Sequence, residues 1–213
     1  MDTTHDNQAM LPPHNTRQTI EEKAISILAE KGYDATSMRE IAAASSVSKP
    51  VIYYYFKSKE NLCHSLIRSG LEDFRKQLEG ICQSEAQDMF EQIVRAIAVH
   101  FEFCKKHVEF ARFIYALNFG PDRHKIDYDF MSYGAKIFSL MKRLMERASE
   151  AGVVRRGKEE AAVIYLRGII NDFVTSYLDG GPDFSSDLAH TIATDMVNGL
   201  RPSSGKDTRL EQS

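Results

Sequence analysis

The sequence predicts an all-α protein, with a small N-terminal helical domain followed by a larger helical bundle. Between Thr16 and Leu200 apolar residues recur at three- and four-residue spacing, the periodicity of a helix with one buried face. Valine and isoleucine runs alternating with polar residues, which would mark strands, are missing from the same stretch. The breaks fall at Gly32, Ser45-Ser46, Gly80, Gly120-Pro121, Gly152, Gly157 and Asp179-Gly180-Gly181-Pro182, and they divide the chain into about nine helices. The 213 residues are 43% hydrophobic, enough to bury a substantial core.

The first helix is expected over 16–31, with Ile20, Ala24, Ile27 and Leu28 on one stripe. Gly32 then supplies a left-handed cap. Ser37 and Glu40 have the spacing of a capping box, so a short second helix runs to about Ala44. Ser48 caps the third, and Pro50 falls in its first turn, where a missing N–H costs nothing. That helix ends near Tyr55; a fourth starts near Ser58 and continues through Leu78. Tyr53, Tyr54 and Tyr55 stand in a row. Three successive helical positions span most of the circumference, so at least one ring must face outward.

Two short helices joined by a tight turn form a helix-turn-helix, whose second helix enters the DNA major groove. Lys49 suits guanine edges or a phosphate, Pro50, Val51 and the tyrosine rings suit thymine methyls, and the hydroxyls of Tyr53 and Tyr54 suit phosphate oxygens. Lys59, opening the fourth helix, combines an ammonium with a helix N-terminus. Ser37 offers a hydroxyl and free N–H groups, and Arg39 can reach a base or a phosphate. The net charge of −3 means that any basic surface is local.

The segment around EKGYDATSMREIAAASSVSKPVIYYYFKSKENL resembles the DNA-binding domain of tetracycline-repressor (TetR) family regulators. Gly32-Tyr33, Thr36-Ser37, Ile41-Ala42, Val47-Ser48 and the run from Ile52 to Leu62 carry the likeness. The resemblance implies DNA contacts at Ser37, Arg39, Lys49, Pro50, Tyr53, Tyr54, Tyr55 and Lys59. It implies an interior set of Ile41, Ala42, Val47, Ile52, Phe56 and Leu62. Many relatives have glycine where this chain has Ser46, and glycine or alanine where it has Pro50, so the operator sequence does not carry over. The expected division is a flexible arm over 1–15, a DNA-binding domain over 16–62, a ligand-binding and dimerisation domain over 63–201, and a flexible tail over 202–213.

Past the fourth helix the pattern lengthens, with helices expected over 85–105, 107–119, 122–150, 159–178 and 185–200. Aromatic residues crowd between Phe101 and Phe138. They read either as plain core or, by the resemblance, as the lining of an effector cavity for an apolar or aromatic small molecule. The candidate lining is His100, Phe101, Cys104, Phe113, Tyr128, Met131, Tyr133, Asn171 and Asp172. In the last two helices Ala161, Ile164, Tyr165, Gly168, Leu188, Ile192 and Met196 form stripes. The resemblance implies that they pair with a second copy as a four-helix bundle; simple packing within the chain is the alternative.

His100, Cys104 and His107 share helical spacing, but Lys105-Lys106 would repel a dication, so no metal and no cofactor is expected. Cys63, Cys82 and Cys104 lack C-x-x-C spacing and fit a reducing cytosol. No run approaches the roughly 18 apolar residues of a membrane helix, and the polar N-terminus does not resemble a signal peptide. No nucleophile elbow, phosphate loop, dinucleotide fingerprint or H-E-x-x-H motif is present, which argues against an enzyme. The expected partners are double-stranded operator DNA, a small-molecule effector and a second copy of the chain; ligand-relieved repression is the expected mode.

Overall fold

The computed structural model describes residues 16–85, 88–119 and 125–200. The expected arm over 1–15 and tail over 202–213 lie outside the described residues. Among those described there are nine helices and no strand: α1 (Thr16–Ala35), α2 (Met38–Ala44), α3 (Lys49–Tyr55), α4 (Lys59–Gln83), α5 (Met89–Lys106), α6 (Val108–Asn118), α7 (Phe130–Glu150), α8 (Glu159–Leu178) and α9 (Leu188–Leu200).

Local chemistry sets most of these boundaries. Gly32 takes φ 76°, ψ 176° and breaks α1 where the sequence places its end. The Thr36 hydroxyl donates to the Gly32 carbonyl at 2.8 Å, and the buried threonine holds the bend. Ser37 Oγ accepts from Glu40 N, capping α2, and Ser58 Oγ accepts from Asn61 N, capping α4. In the α2–α3 turn Ser46 adopts φ 54°, the left-handed conformation that explains why glycine suits this position. Ser46 N donates to Ala43 O and Val47 N to Ala42 O, which satisfies the end of α2.

Several boundaries differ from expectation; α4 runs on past Leu78 to Gln83. α5 begins at Met89 rather than residue 85, because Asp88 accepts from the N–H groups of Phe90 and Glu91 and caps the helix there. α7 begins at Phe130, not residue 122, with Asp129 accepting from Ser132 N. α9 begins at Leu188, not residue 185.

Two apolar cores result. The N-terminal one joins Ile20, Ala24 and Leu28 of α1, Ile41 of α2, Ile52 of α3 and Leu62 to Leu71 of α4 with Phe110, Phe113 and Ile114 of α6. Of the expected interior set, Ile41, Ala42, Ile52, Phe56 and Leu62 are buried, and Val47 is half-buried. Complete burial of one such side chain stabilises by roughly 1.5–3 kcal/mol. The C-terminal core joins α5, α7, α8 and α9 with Leu78 and Cys82 from the far end of α4. α4 therefore runs unbroken from one core into the other. Its C-terminal end is clamped by Gln92 Nε2, which donates to Ile81 O and Ser84 O, and by Arg147, which donates to Cys82 O and Ser84 O.

The α9 stripe has another role than the expected one. Ile192 and Met196 are buried within the protomer and Leu188 is half-buried, as α9 lies on α5. They pack inside the chain because α5 presents its apolar stripe to the same side. On α8 the residues that remain at the surface are Ile164, Tyr165, Gly168, Ile169 and Phe173, with Ala161 half-buried beside them. Ile164 is 56% and Tyr165 54% exposed, a contiguous apolar face of the kind that marks an interaction surface.

Candidate nucleic-acid interface

α3 has only seven residues. It is anchored by Ile52, which is fully buried, and by Phe56 just past its end. With that side fixed to the core, the opposite side stands free. Lys49 and Pro50 are exposed, Tyr53 is 40% and Tyr54 69% exposed. The Lys49 ammonium lies 5.9 Å from the centroid of the Tyr53 ring, which steadies both side chains on one face. Tyr55 turns the other way: it is half-buried, packed on the N-terminal core, with its ring 6.3 Å from that of Phe56. The three tyrosines thus divide into two outward and one that packs on the N-terminal core.

A shallow depression runs along this face, lined by Thr36, Ser37, Met38, Arg39, Lys49, Tyr53 and Lys59. Arg39 is exposed on α2. Ser37 is exposed as well, although its hydroxyl is engaged in capping. Lys59 departs from the expected role. Its Nζ donates to the carbonyls of Tyr33 and Thr36 at 2.7 and 2.8 Å and lies 4.1 Å from the centroid of the Tyr33 ring. Two of its three protons are therefore committed within the protein. Lys59 is half-buried and ties the α1–α2 connection to the start of α4; its third N–H alone remains for the depression.

Arg17 was not foreseen. Its guanidinium stacks 5.1 Å from the centroid of Phe56 and donates to Ser65 Oγ at 2.8 Å, so the first turn of α1 clasps the end of α3 and the side of α4. Nothing in the spacing of residues 17, 56 and 65 signals that contact.

The candidate effector residues do not gather around one cavity. Phe101 and Cys104 belong to the C-terminal core and Phe113 to the N-terminal one. Met131 is 85% exposed and Asp172 is exposed. Tyr128 packs on Phe130, and Tyr133 donates its hydroxyl to Leu71 O. His100 Nδ1 bonds to Ala96 O while its ring packs on Phe74, with centroids 4.8 Å apart; burial lowers its pKa to about 4. Asn171 Oδ1 accepts from the Tyr115 hydroxyl at 3.0 Å. The physical reason is that these rings satisfy one another as core. Burial pushes the thiols of Cys63, Cys82 and Cys104 up to about 12, which leaves them unreactive. Among the described residues no group of three His, Cys, Asp or Glu side chains is placed to hold a metal ion, and no helix is long and apolar enough to cross a membrane.

Comparison with known proteins agrees with this geometry. Residues 20–66 match the family model described as bacterial regulatory proteins, tetR family. By sequence the chain is 31% identical over 102 residues to the probable HTH-type transcriptional regulator YttP of Bacillus subtilis (strain 168), an overlap of 47% of this chain and 49% of that one. The chain spans about half the length of the relatives it matches by sequence. By structure it is similar to the TetR family transcriptional regulator PfmR from Thermus thermophilus, with a TM-score of 0.71 and 21% identity, covering 87% of this chain and 97% of that one. It is similar also to AibR, solved in complex with isovaleryl coenzyme A and operator DNA, with a TM-score of 0.66 and 21% identity, covering 88% and 98%. The helix-turn-helix, with its exposed, tyrosine-bearing second helix, lies inside the stretch that matches the tetR family model, so residues 20–66 form a DNA-binding domain of the TetR type.

Proposed function

We propose that the protein is a repressor that acts in the cytoplasm, binds a palindromic operator as a homodimer and leaves it when a small apolar or aromatic effector enters the C-terminal bundle. The observation that carries the DNA reading is the outward face of α3, where Lys49, Pro50, Tyr53 and Tyr54 stand clear of a helix fixed by Ile52 and Phe56. A helix so anchored loses little further freedom on entering a groove, and its lysine and hydroxyls match phosphate and base edges. Ser37 and Arg39 on the α2 side flank it toward the backbone.

The proposed dimer face is the exposed stripe of α8, Ile164, Tyr165, Gly168, Ile169 and Phe173. A two-fold pairing there would set two copies of α3 about 34–36 Å apart or a multiple of it, one turn of duplex, and so call for an inverted repeat. The effector reading is supported by AibR, which was solved with a small molecule and operator together. In this chain an effector would enter by parting the rings around Phe101, Cys104 and the Tyr115–Asn171 pair, where a hydrogen bond already offers a polar anchor. Release follows only if the effector favours a bundle in which α4 is displaced.

The test is fluorescence anisotropy with a duplex taken from the intergenic region beside the protein's own gene, read across a salt series. We expect a log–log salt slope of several units and tighter binding than to a scrambled duplex. A slope near zero on both duplexes would overturn the regulator reading.

A further inference from the structure

We infer that the groove between α4 and α7 is a binding site for a small ligand bearing a diphosphate, separate from the DNA-reading face. The groove has a volume of about 370 Å³ and is lined by Arg75 and Glu79 of α4 and by Ser132, Lys136, Ser139 and Arg143 among the residues of α7. That volume lies at the small end of the range typical of ligand sites. Arg75 stands sixteen residues beyond Lys59, about 24 Å along α4, so the groove is remote from α3.

Its charge is arranged rather than scattered. Arg75 is held from both sides: Nε and one terminal nitrogen donate to Glu72 at 2.9 and 2.8 Å, and the other terminal nitrogen donates to Glu79 at 2.9 Å. Those contacts consume three of its five N–H groups and leave two. Both carboxylates bond Arg75, and Glu72 also feels the Lys136 charge at longer range. Lys136 and Arg143, one face of α7 at i and i+7, have no carboxylate within 4 Å among the described residues. Three cations thus line a groove whose one acid among the described lining residues, Glu79, is already bonded to Arg75, and Ser132 and Ser139 lie on the same side of α7. Like charges set together cost free energy that a bound anion recovers.

The spacing selects the ligand. Lys136 and Arg143 are about 10 Å apart along the helix axis, a span that two linked phosphates cover better than one, and Arg75 lines the same groove. Arg offers the paired N–H geometry that phosphate oxygens match.

Isothermal titration calorimetry of the full chain with sodium pyrophosphate in low-salt buffer, against sodium chloride at matched ionic strength, tests this. We expect saturable binding at one site per chain. We expect the K136Q/R143Q double variant to weaken it at least tenfold, with the helical circular dichroism and the retention on duplex DNA unchanged, since both side chains are exposed. Absence of saturable heat, or equal affinity in the double variant, overturns the proposal. Displacement of pyrophosphate by a random-sequence duplex in the wild type, lost in K136Q/R143Q, assigns the groove to nucleic-acid phosphates and overturns it as well. The site stands apart from the repressor reading: pyrophosphate binding in a chain that ignores every duplex would sink that reading and keep this one.

Discussion

The Lys59 ammonium donates to the Tyr33 carbonyl at 2.7 Å and lies 4.1 Å from the centroid of the same residue's ring. One side chain thereby fastens the first helix pair to the start of α4, next to the depression lined by Arg39, Lys49 and Tyr53. Lys59→Met removes two charge-assisted bonds; the Tyr33 carbonyl keeps its bond from Thr36 N, and the Thr36 carbonyl loses its lysine donor. We expect a loss of about 1–3 kcal/mol in stability, read by chemical denaturation, together with a similar weakening on every duplex. A variant with unchanged stability and weakened DNA binding would return Lys59 to the role of a plain phosphate contact.

The outward face of α3 should behave differently. Lys49→Ala should leave the denaturation midpoint in place and reduce the salt slope of DNA binding by about one unit. Tyr54→Phe, at a residue 69% exposed, should cost about 1 kcal/mol of DNA affinity, roughly fivefold, through its hydroxyl alone. Tyr55→Phe, on the inward side, should change DNA affinity far less than Tyr54→Phe does.

Gly70 meets the Phe110 ring so closely that an added Cβ would fall 2.2 Å from it. This contact joins α4 to α6, the helix that shares the N-terminal core. Gly70→Ala should destabilise the protein by about 1–3 kcal/mol through overpacking. Adding Phe110→Leu should recover part of that loss, and a double-mutant cycle would show the non-additivity.

On α8, Ile164→Glu places a charge in the centre of the exposed apolar face. Since Ile164 is 56% exposed in the protomer, the fold should survive while self-association falls. Sedimentation velocity would show the wild type as a dimer and the variant shifted toward monomer. An unchanged sedimentation coefficient would place the interface elsewhere.

His100 gives a pH dependence with a definite sign. Burial against Phe74 and its neighbours holds its pKa near 4, below the ordinary 6.5, against the opposing influence of its bonds to backbone. The unfolded chain takes up this proton near pH 6.5 and the folded one resists until about 4. The contribution is therefore complete above 6.5 and erodes as pH falls through that window, by on the order of 3 kcal/mol. Guanidinium titrations at pH 7, 5.5 and 4.5 should show a steeper loss for the wild type than for His100→Gln.

How much of this was legible beforehand follows from the range of each interaction. The caps at Ser37 and Ser58, the placement of Ser48 and Pro50 at the start of α3 and the break at Gly32 act on their own turn, so they were readable from the residues alone. So was the outward placement of at least one tyrosine, because three consecutive rings cannot share one helical face. Where a cap lay further along than the periodicity suggested, as at Asp88 and Asp129, the boundary moved with the side chain that accepts the free N–H groups.

Long-range partners decided the rest. Tyr55 packs on the N-terminal core, and Lys59 spends its protons inside the protein because the α1–α2 connection arrives beside it, a neighbour 23 to 26 residues away in the chain. The stripes of α8 and α9 look alike in sequence; α5 covers Ile192 and Met196 and leaves Ile164 and Tyr165 bare. The aromatic cluster near Phe101 and Phe113 likewise split between two cores. Residue types and their spacing determined which segments are helical and where the helix-turn-helix falls. Which apolar faces are covered was determined only when the helices packed, since burial belongs to a pair of surfaces and a stretch of sequence contains a single member of that pair.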